Sequence, residues 1–173
     1  SKMCHAWLSK TKDGEEVVLG MLPFFHVYGM TTVLILSIMS RNKMVLLPKF
    51  DVDLALKTID KQKPTLFPGA PTMYIGLLNH PDLQKYDLSS IKACLSGSAP
   101  LPVEIQEKFE EITGGKLVEG YGLTETSPVT HANFIWGNRI SGSIGVPWPD
   151  TECVILRSGE NEILPPGEIG EIA

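Results

Sequence analysis

The sequence predicts an α/β fold in which a layered, mainly parallel sheet is flanked by helices and followed by a short β-rich segment. Short apolar runs alternate with longer helical patterns over residues 15–121, which is typical of parallel strands joined by helices. After Pro147 the helical pattern stops, and residues 151–173 have the pattern of short strands joined by turns. We therefore expect an α/β subdomain over residues 1–147 and the truncated start of a β-rich subdomain over residues 148–173.

The first elements are predicted by apolar runs and by the residues that end them. Residues 15–23 form a short apolar run, which predicts a buried strand. Residues 26–41 are too long and too continuously apolar for a strand, so they predict a largely buried helix. A strand over residues 43–48 comes next, and a helix capped by Asp51 or Asp53 follows it.

The later strands and helices repeat this alternation. Residues 64–69 predict a strand, and residues 70–80 predict a helix with Pro71 in its first turn. Two further strands are predicted over residues 91–97 and 116–121.

The clearest helix covers residues 101–115, because its apolar residues share one face and two glycines close its end. Those apolar residues are Ile105, Phe109 and Ile112. The stretch 129–150 is rich in glycine and serine, so we expect it to be a long surface loop.

Composition and charge narrow the class of protein. The chain of 173 residues carries a net charge of −5 and has no Lys/Arg cluster, which argues against a nucleic-acid surface. Its longest apolar run, near residues 33–39, is far shorter than the roughly 20 residues of a membrane span, although peripheral membrane contact stays open. Cys4, Cys94 and Cys153 are odd in number and widely separated, so disulfides and zinc are poor interpretations and a cytoplasmic location fits best.

Both ends of the sequence look cut. The chain begins without Met, and residues 167–173 break off inside a predicted strand. We expect a piece of a longer protein, whose open sheet edges and uncovered helix faces favour self-association.

Three short stretches follow predicted strands at their carboxyl ends, where ligands lie in sheets of this kind. They are LPFFHVYG (22–29), SGSAPLP (96–102) and GYGLTETSP (120–128). In the first stretch, a lone histidine among apolar residues is more often a satisfied core residue. The position of His26 and Tyr28 at the end of a strand nevertheless favours a functional role.

The GYGLTETSP stretch has the composition of a nucleotide site. Its glycines let the backbone approach a flat group, and Tyr121 supplies a stacking face. Thr124 offers a hydroxyl to a phosphate oxygen or a metal-bound water, and Glu125 offers a hard oxygen ligand that suits Mg²⁺. The alternative is a Gly-rich turn with a capping threonine and a solvated glutamate, but the run as a whole favours function.

The SGSAPLP stretch also consists mainly of residues with small side chains. Gly97, Ser98 and Ala99 leave room for a planar ring against the backbone, although a tight turn with Pro102 at a helix start explains the same residues. A hydrolase nucleophile needs G-x-S-x-G, and Ser98 fails this pattern because Gly97 precedes it directly and Pro100 stands two positions after it. Neither common phosphate-binding glycine motif occurs, so residues outside this chain would hold most of a triphosphate.

These three stretches, in this order, resemble the acyl-adenylate-forming superfamily of acyl-CoA synthetases, coumarate-CoA ligases, luciferases and peptide-synthetase adenylation domains. The segments PTLFPGAPTMYIGLLNHP (64–81) and SGSIGVPWPDTECVIL (141–156) are most similar to bacterial long-chain fatty-acid-CoA ligases. The similarity covers nearly the whole chain. It implies an ATP-dependent ligase that joins a fatty acid or related carboxylate to AMP and then transfers the acyl group to CoA.

The resemblance also implies roles for individual residues. Adenine would lie between two backbone segments, with Glu119 near its amino group. These segments are Gly97, Ser98, Ala99 and Pro100 on one side and Gly120, Tyr121 and Gly122 on the other. As catalytic residues, Thr124 would contact the phosphate of ATP, Glu125 would bind Mg²⁺ and His26 would lie beside the reacting carboxylate. Tyr28 would line the acyl pocket.

The resemblance places this chain in the middle of a large N-terminal domain. The phosphate loop would precede residue 1, and the ribose-binding Asp, the hinge and the catalytic Lys would follow residue 173. We therefore expect ligase activity in the full-length protein and none in the isolated chain. The alternatives are a related ligase for aryl or amino acids, a non-catalytic domain that keeps the fold, and a hydrolase that uses Ser98.

Overall fold

Two pairs of parallel strands form the centre of the computed structural model, which describes residues 8–173. Strand β1 (Val17–Gly20) pairs with β2 (Lys43–Leu46), and β3 (Ala93–Ser96) pairs with β4 (Lys116–Gly122). Residues 66–69 lie between the two pairs and join them, because they form parallel bridges to both β1 and β3. The predicted strand over residues 64–69 is therefore present as a bridging segment.

The sheet becomes antiparallel beyond β4. Strand β5 (Val129–Ala132) pairs with β4, and β6 (Val146–Pro147) pairs with β5. Strands β7 (Ile155–Leu156) and β8 (Glu171–Ile172) form a separate antiparallel pair. The α/β prediction is confirmed, with parallel pairing up to β4 and antiparallel pairing after it.

The prediction of a surface loop over residues 129–150 is wrong at both ends of that stretch, where β5 and β6 form. Val129 and Thr130 are β-branched and suit a strand, but the glycines and serines further on dominated the pattern. Side-chain contacts also hold the segment between β5 and β6 in place. The Asn133 side-chain amide donates to the backbone carbonyl of Ser143 at 2.6 Å, and the Arg139 guanidinium pairs with the Glu110 carboxylate.

All four predicted helices are confirmed. The first runs through an α-helical turn Val27–Gly29, a π-helical segment Met30–Ile35 and a second α-helical turn Leu36–Met39. The others are Val52–Gln62, Pro71–Leu78 and Val103–Thr113, and short 3₁₀ turns occupy Leu83–Lys85 and Thr124–Thr126. The first helix is less buried than predicted, since it buries one side and leaves Ile38 and Met39 exposed.

The helix ends follow the signals in the sequence. Of the two candidate caps for Val52–Gln62, Asp51 is the one used, because its carboxylate accepts the Leu54 N–H at 2.9 Å. Pro102 lies at the N-cap of Val103–Thr113, directly before the first residue of the helix. Gly114 ends that helix with a left-handed φ of 71°.

Hydrophobic cores cover both faces of the sheet, because successive residues of each strand point to opposite sides. One core packs the strands against the three helices Val52–Gln62, Pro71–Leu78 and Val103–Thr113, and its strand residues include Leu19, Phe67, Cys94 and Leu117. The other lies towards the first helix, and its members include Val18, Val33, Leu66, Ala93 and Val118.

The C-terminal segment after β6 contains no helix in the structure. Trp148 packs with Leu36 and Ala132, so the first residue of the predicted second subdomain contacts the α/β part. The boundary between residues 147 and 148 stays a prediction. Among residues 8–173, no helix has both the length and the apolar character needed to cross a bilayer. Cys94 and Cys153 are free thiols, and Cys4 lies outside the described residues.

The core packing predicts a large effect for the aromatic ring of Phe109. This side chain is 1% exposed, and its ring meets that of Tyr74 edge-on with 5.1 Å between centroids. We expect Phe109→Ala to lower the free energy of unfolding by about 3–5 kcal/mol, measured by urea unfolding of the purified protein. Phe25, which is 94% exposed, provides the matched control. Phe25→Ala is expected to change the free energy of unfolding by less than about 0.5 kcal/mol. Equal effects of the two substitutions would contradict the assigned core.

Candidate functional site

The three predicted stretches meet around one cleft of about 300 Å³ at the carboxyl ends of β1, β3 and β4. The predicted site residues that line it are His26, Tyr28, Gly97, Ser98, Gly120, Tyr121, Gly122, Thr124 and Glu125. Ala99, Pro100 and Glu119 are close in sequence but are not among the lining residues. The structure thus brings together most of the predicted site residues, from positions about 100 residues apart in the chain.

His26 caps the first helix from an exposed position. Its Nδ1 accepts the Tyr28 N–H at 3.1 Å, so the neutral ring carries its proton on Nε2. The alternative interpretation of His26 as a buried core histidine is wrong, because a helix N-cap at the strand end leaves the ring in solvent. The side chain therefore offers an Nε2–H donor at the edge of the cleft.

Tyr28 is buried and supports the side of the cleft formed by the end of β3. Its hydroxyl donates to the backbone carbonyl of Leu95 at 2.5 Å. A Cβ atom placed on Gly97 would come within 3.2 Å of the Tyr28 ring, so the glycine permits this close approach. The Tyr74 hydroxyl also lies 3.1 Å from the Leu95 carbonyl, and these contacts hold the end of β3.

The turn after β4 is folded by a residue that the sequence analysis did not single out. Thr126 Oγ1 accepts the Leu123 N–H at 3.0 Å and lies 3.0 Å from the Pro128 carbonyl oxygen. Gly122 passes so close to Pro128 that an added Cβ would stand 1.7 Å from that oxygen. This packing presents Thr124 and Glu125 as exposed side chains at the cleft.

Other lining residues were also missed, and they are Val27, Leu95, Ser96, Leu123, Pro128 and Val129. All are sequence neighbours of the predicted residues, so proximity along the chain was the available signal. Ser96 is fully buried, and its hydroxyl has no hydrogen-bond partner within the described part of the chain. Ser98 has a φ of 72°, a left-handed conformation that residues other than glycine rarely adopt.

Comparison with known proteins identifies the family of this chain. A family model described as AMP-binding enzyme matches residues 1–173. The chain belongs to the family of AMP-binding enzymes. The long-chain-fatty-acid–CoA ligase of Bacillus subtilis is 64% identical to it over 172 residues, which are 99% of this chain and 31% of that protein.

Two further relatives of this AMP-binding chain are more distant. The probable 4-coumarate–CoA ligase 2 of Dictyostelium discoideum is 38% identical over 161 residues, which are 91% of this chain and 29% of that protein. The crystal structure of ATP-bound MatB from Rhodopseudomonas palustris matches with a TM-score of 0.85 and 28% identity, covering 99% of this chain and 33% of that one. The AMP-binding chain thus spans about a third of the length of the curated relatives it matches.

Burial perturbs two titratable groups on the strands of the AMP-binding chain that flank the cleft. His131 pairs with Tyr121 across β4 and β5, is 5% exposed, and has its pKa lowered by burial. Burial raises the pKa of the Glu119 carboxyl, and a hydrogen bond from the Leu101 N–H partly offsets that increase. Both shifts make the neutral form more favourable than it is in water.

The lowered pKa of His131 predicts a loss of stability in mild acid. Below its ordinary pKa of 6.5, the unfolded histidine binds a proton that the folded one resists, so stability falls as pH falls through that range. The raised pKa of Glu119 acts in the opposite direction, since the folded state holds that proton more readily. We expect wild type to lose more stability than His131→Gln when urea unfolding is compared at about pH 7 and pH 5. Equal losses in the two proteins would contradict the assignment.

Proposed function

We propose that the full-length protein is an ATP-dependent fatty-acyl-CoA ligase, which forms an acyl-adenylate and then transfers the acyl group to CoA. The observation that carries this proposal is the meeting of three separate stretches around one cleft in an AMP-binding family member. The 64% identity to a long-chain-fatty-acid–CoA ligase favours a fatty acid as the carboxylate. The 38% identity to a probable 4-coumarate–CoA ligase gives weaker support to an aryl acid.

The shape of the cleft suits the adenine of ATP. Gly97 and Ser98 line the cleft just after β3, and Gly120, Tyr121 and Gly122 line it at the end of β4. Backbone and small side chains allow a planar base to lie between the walls without steric conflict. We assign adenine to this part of the cleft. Ala99 and Pro100 do not line it, but they follow Ser98 directly and would support the adenine side formed by Gly97 and Ser98.

Glu125 has the properties of a Mg²⁺ ligand. Its carboxylate is exposed at the cleft, and within residues 8–173 it makes no hydrogen bond or ion pair. No group of three or more metal-ligating side chains occurs among the described residues, and Mg²⁺ commonly needs only one or two carboxylates together with substrate phosphates. Bound there, Mg²⁺ would offset the negative charge of the phosphates.

The remaining residues orient the reacting groups. A carboxylate oxygen of the fatty acid attacks the α-phosphorus of ATP, and pyrophosphate leaves with the electron pair of the broken P–O bond. The sulfur of CoA then attacks the acyl carbon, and AMP leaves as the thiol loses its proton. In this scheme the Nε2–H of His26 donates to the carboxylate, and the Thr124 hydroxyl donates to a phosphate oxygen.

The setting we propose for this reaction is the cytoplasm, with peripheral membrane contact when the fatty acid is taken up. Two free thiols among the described residues, one of them buried, are compatible with a reducing compartment. Activity belongs to the full-length protein, with residues 1–147 as its α/β subdomain and 148–173 as the start of a β-rich one. Exposed apolar residues such as Leu46 on the β2 edge favour self-association of the isolated chain.

The direct test is ATP–pyrophosphate exchange by the full-length protein with fatty, aryl and amino acids. We expect exchange with fatty acids and formation of acyl-CoA when CoA is added. Faster exchange with an aryl or amino acid would reassign the substrate. No exchange with any of the acids would favour a non-catalytic domain.

The proposed metal role predicts the effect of Glu125→Gln. The change is nearly isosteric and lies on an exposed turn, so the fold is retained while the charge that would hold Mg²⁺ is lost. We expect the rate of adenylation to fall about a hundredfold or more at saturating ATP and Mg²⁺. Glu107→Gln is the matched control, since Glu107 is also exposed but lies on the helix Val103–Thr113 and does not line the cleft. A wild-type rate in Glu125→Gln would remove Glu125 from the mechanism.

The two contacts of His26 can be separated by substitution. Asparagine is a good N-cap, so His26→Asn keeps an acceptor for the Tyr28 N–H and loses the Nε2 donor. We expect this variant to keep its stability and to adenylate about 10–100-fold more slowly. His26→Ala should show the same rate loss and also lose about 0.5–2 kcal/mol of stability. Normal turnover by His26→Asn would show that His26 is only a helix cap.

A further inference from the structure

Thr126 closes the turn that follows β4, although it is not among the residues that line the cleft. The Leu123 N–H donates to Thr126 Oγ1 at 3.0 Å, at the start of the turn. The same oxygen lies 2.9 Å from the Leu123 carbonyl oxygen and 3.0 Å from the Pro128 carbonyl oxygen, at the end of the turn. One hydroxyl therefore contacts both ends of the segment 123–128.

The proton of this hydroxyl is best placed on the Pro128 side. A hydroxyl carries one proton, so it donates to only one of the two carbonyls at a time. The Leu123 carbonyl already accepts the backbone N–H of Thr126 at 3.1 Å. When the hydroxyl donates to the Pro128 carbonyl, it accepts from one end of the turn and donates to the other. Valine has a similar shape but lacks the hydroxyl, so it cannot make either contact.

The segment 123–128 carries two proposed site residues, Thr124 and Glu125, away from the sheet. Residues 122–127 are exposed, and the chain becomes buried again at Pro128. Ser127 has a φ of 59°, a left-handed conformation that is unfavourable for a residue with a Cβ atom. Exposure and backbone strain both favour other conformations of the turn. The contacts of Thr126 oppose them.

We infer that Thr126 is a positioning residue, whose hydroxyl clamps the turn 123–128 and so presents the Glu125 carboxylate in one orientation for Mg²⁺. The inference rests on the proposed function, because that proposal assigns Mg²⁺ to Glu125. Magnesium demands near-ideal octahedral geometry, so a carboxylate that moves with a loose turn binds it more weakly. In this scheme Thr126 contacts neither the metal nor the nucleotide, and it acts through the backbone of its neighbour.

The experiment compares Thr126→Val, Thr126→Ser and the control Thr72→Val in the full-length protein. Thr72 is also exposed, but it lies on the helix Pro71–Leu78 and does not line the cleft. Amide hydrogen exchange over the segment 123–128, without nucleotide or metal, measures the turn itself. Adenylation rates at saturating ATP and fatty acid, over a series of free Mg²⁺ concentrations, measure the response to the metal.

The expected result separates clamping from a direct metal contact. In Thr126→Val the Leu123 amide should exchange about three- to tenfold faster, because its acceptor is gone. The Mg²⁺ concentration that gives half the maximal rate should rise about tenfold, while the rate at saturating Mg²⁺ stays within about twofold of wild type. Thr126→Ser and Thr72→Val should resemble wild type in both measurements. Recovery at high Mg²⁺ distinguishes Thr126 from Glu125, whose substitution by Gln is expected to stay slow there.

The inference and the proposed function fail in different ways. An unchanged Leu123 amide in Thr126→Val, or a Thr126→Ser protein as impaired as Thr126→Val, would overturn the clamp. Faster exchange with an unchanged response to Mg²⁺ would overturn the link to the metal. If wild type forms no adenylate with any acid, the proposed function fails, and the exchange data still decide whether Thr126 clamps the turn. Thr126→Ala, which also lacks the hydroxyl, replaces Thr126→Val if that variant does not fold.

Discussion

Burial of the central strands on both faces is the constraint on which the rest of this structure depends. Val18 and Leu19 are adjacent in β1 yet belong to cores on opposite sides, and Val118 and Leu117 repeat this arrangement in β4. A slip of one residue would exchange the two faces of a strand, so the register is strongly fixed. With register fixed and the strands parallel, their carboxyl ends align at one edge, and the loops that leave them must form a common cleft.

Buried contacts beneath the cleft fix the positions of its exposed side chains. The carbonyl of Leu95 lies within hydrogen-bonding distance of the Tyr28 hydroxyl, the Tyr74 hydroxyl and the Gly69 N–H. Tyr74 belongs to the core beneath the helices, whereas Tyr28 comes from the helix that His26 caps. The position of His26 is therefore linked to the end of β3 through one buried ring. Packing of the core and placement of polar groups at the site depend on the same residues.

Sequence reasoning succeeded where the signal is local. The spacing of Ile105, Phe109 and Ile112 predicted the helix over 103–113. The stretches that come directly after strands predicted the cleft. It failed where composition conceals a short strand. β5 is the next strand after β4 along the chain and pairs with it, but the glycines and serines after β5 favoured a loop. His26 was ambiguous for a related reason, since its apolar neighbours do not show whether its ring is buried or exposed.

The charge of the cleft limits what its lining residues could do for a bound nucleotide. Its lining contains one carboxylate, that of Glu125, and no lysine or arginine among the described residues. A triphosphate placed there would meet glycines, hydroxyls and the side chain of Tyr121, which offset little negative charge. On the proposed function, these residues would therefore select and align the nucleotide. A metal ion at Glu125 and cationic groups from outside this lining would then neutralise its phosphates.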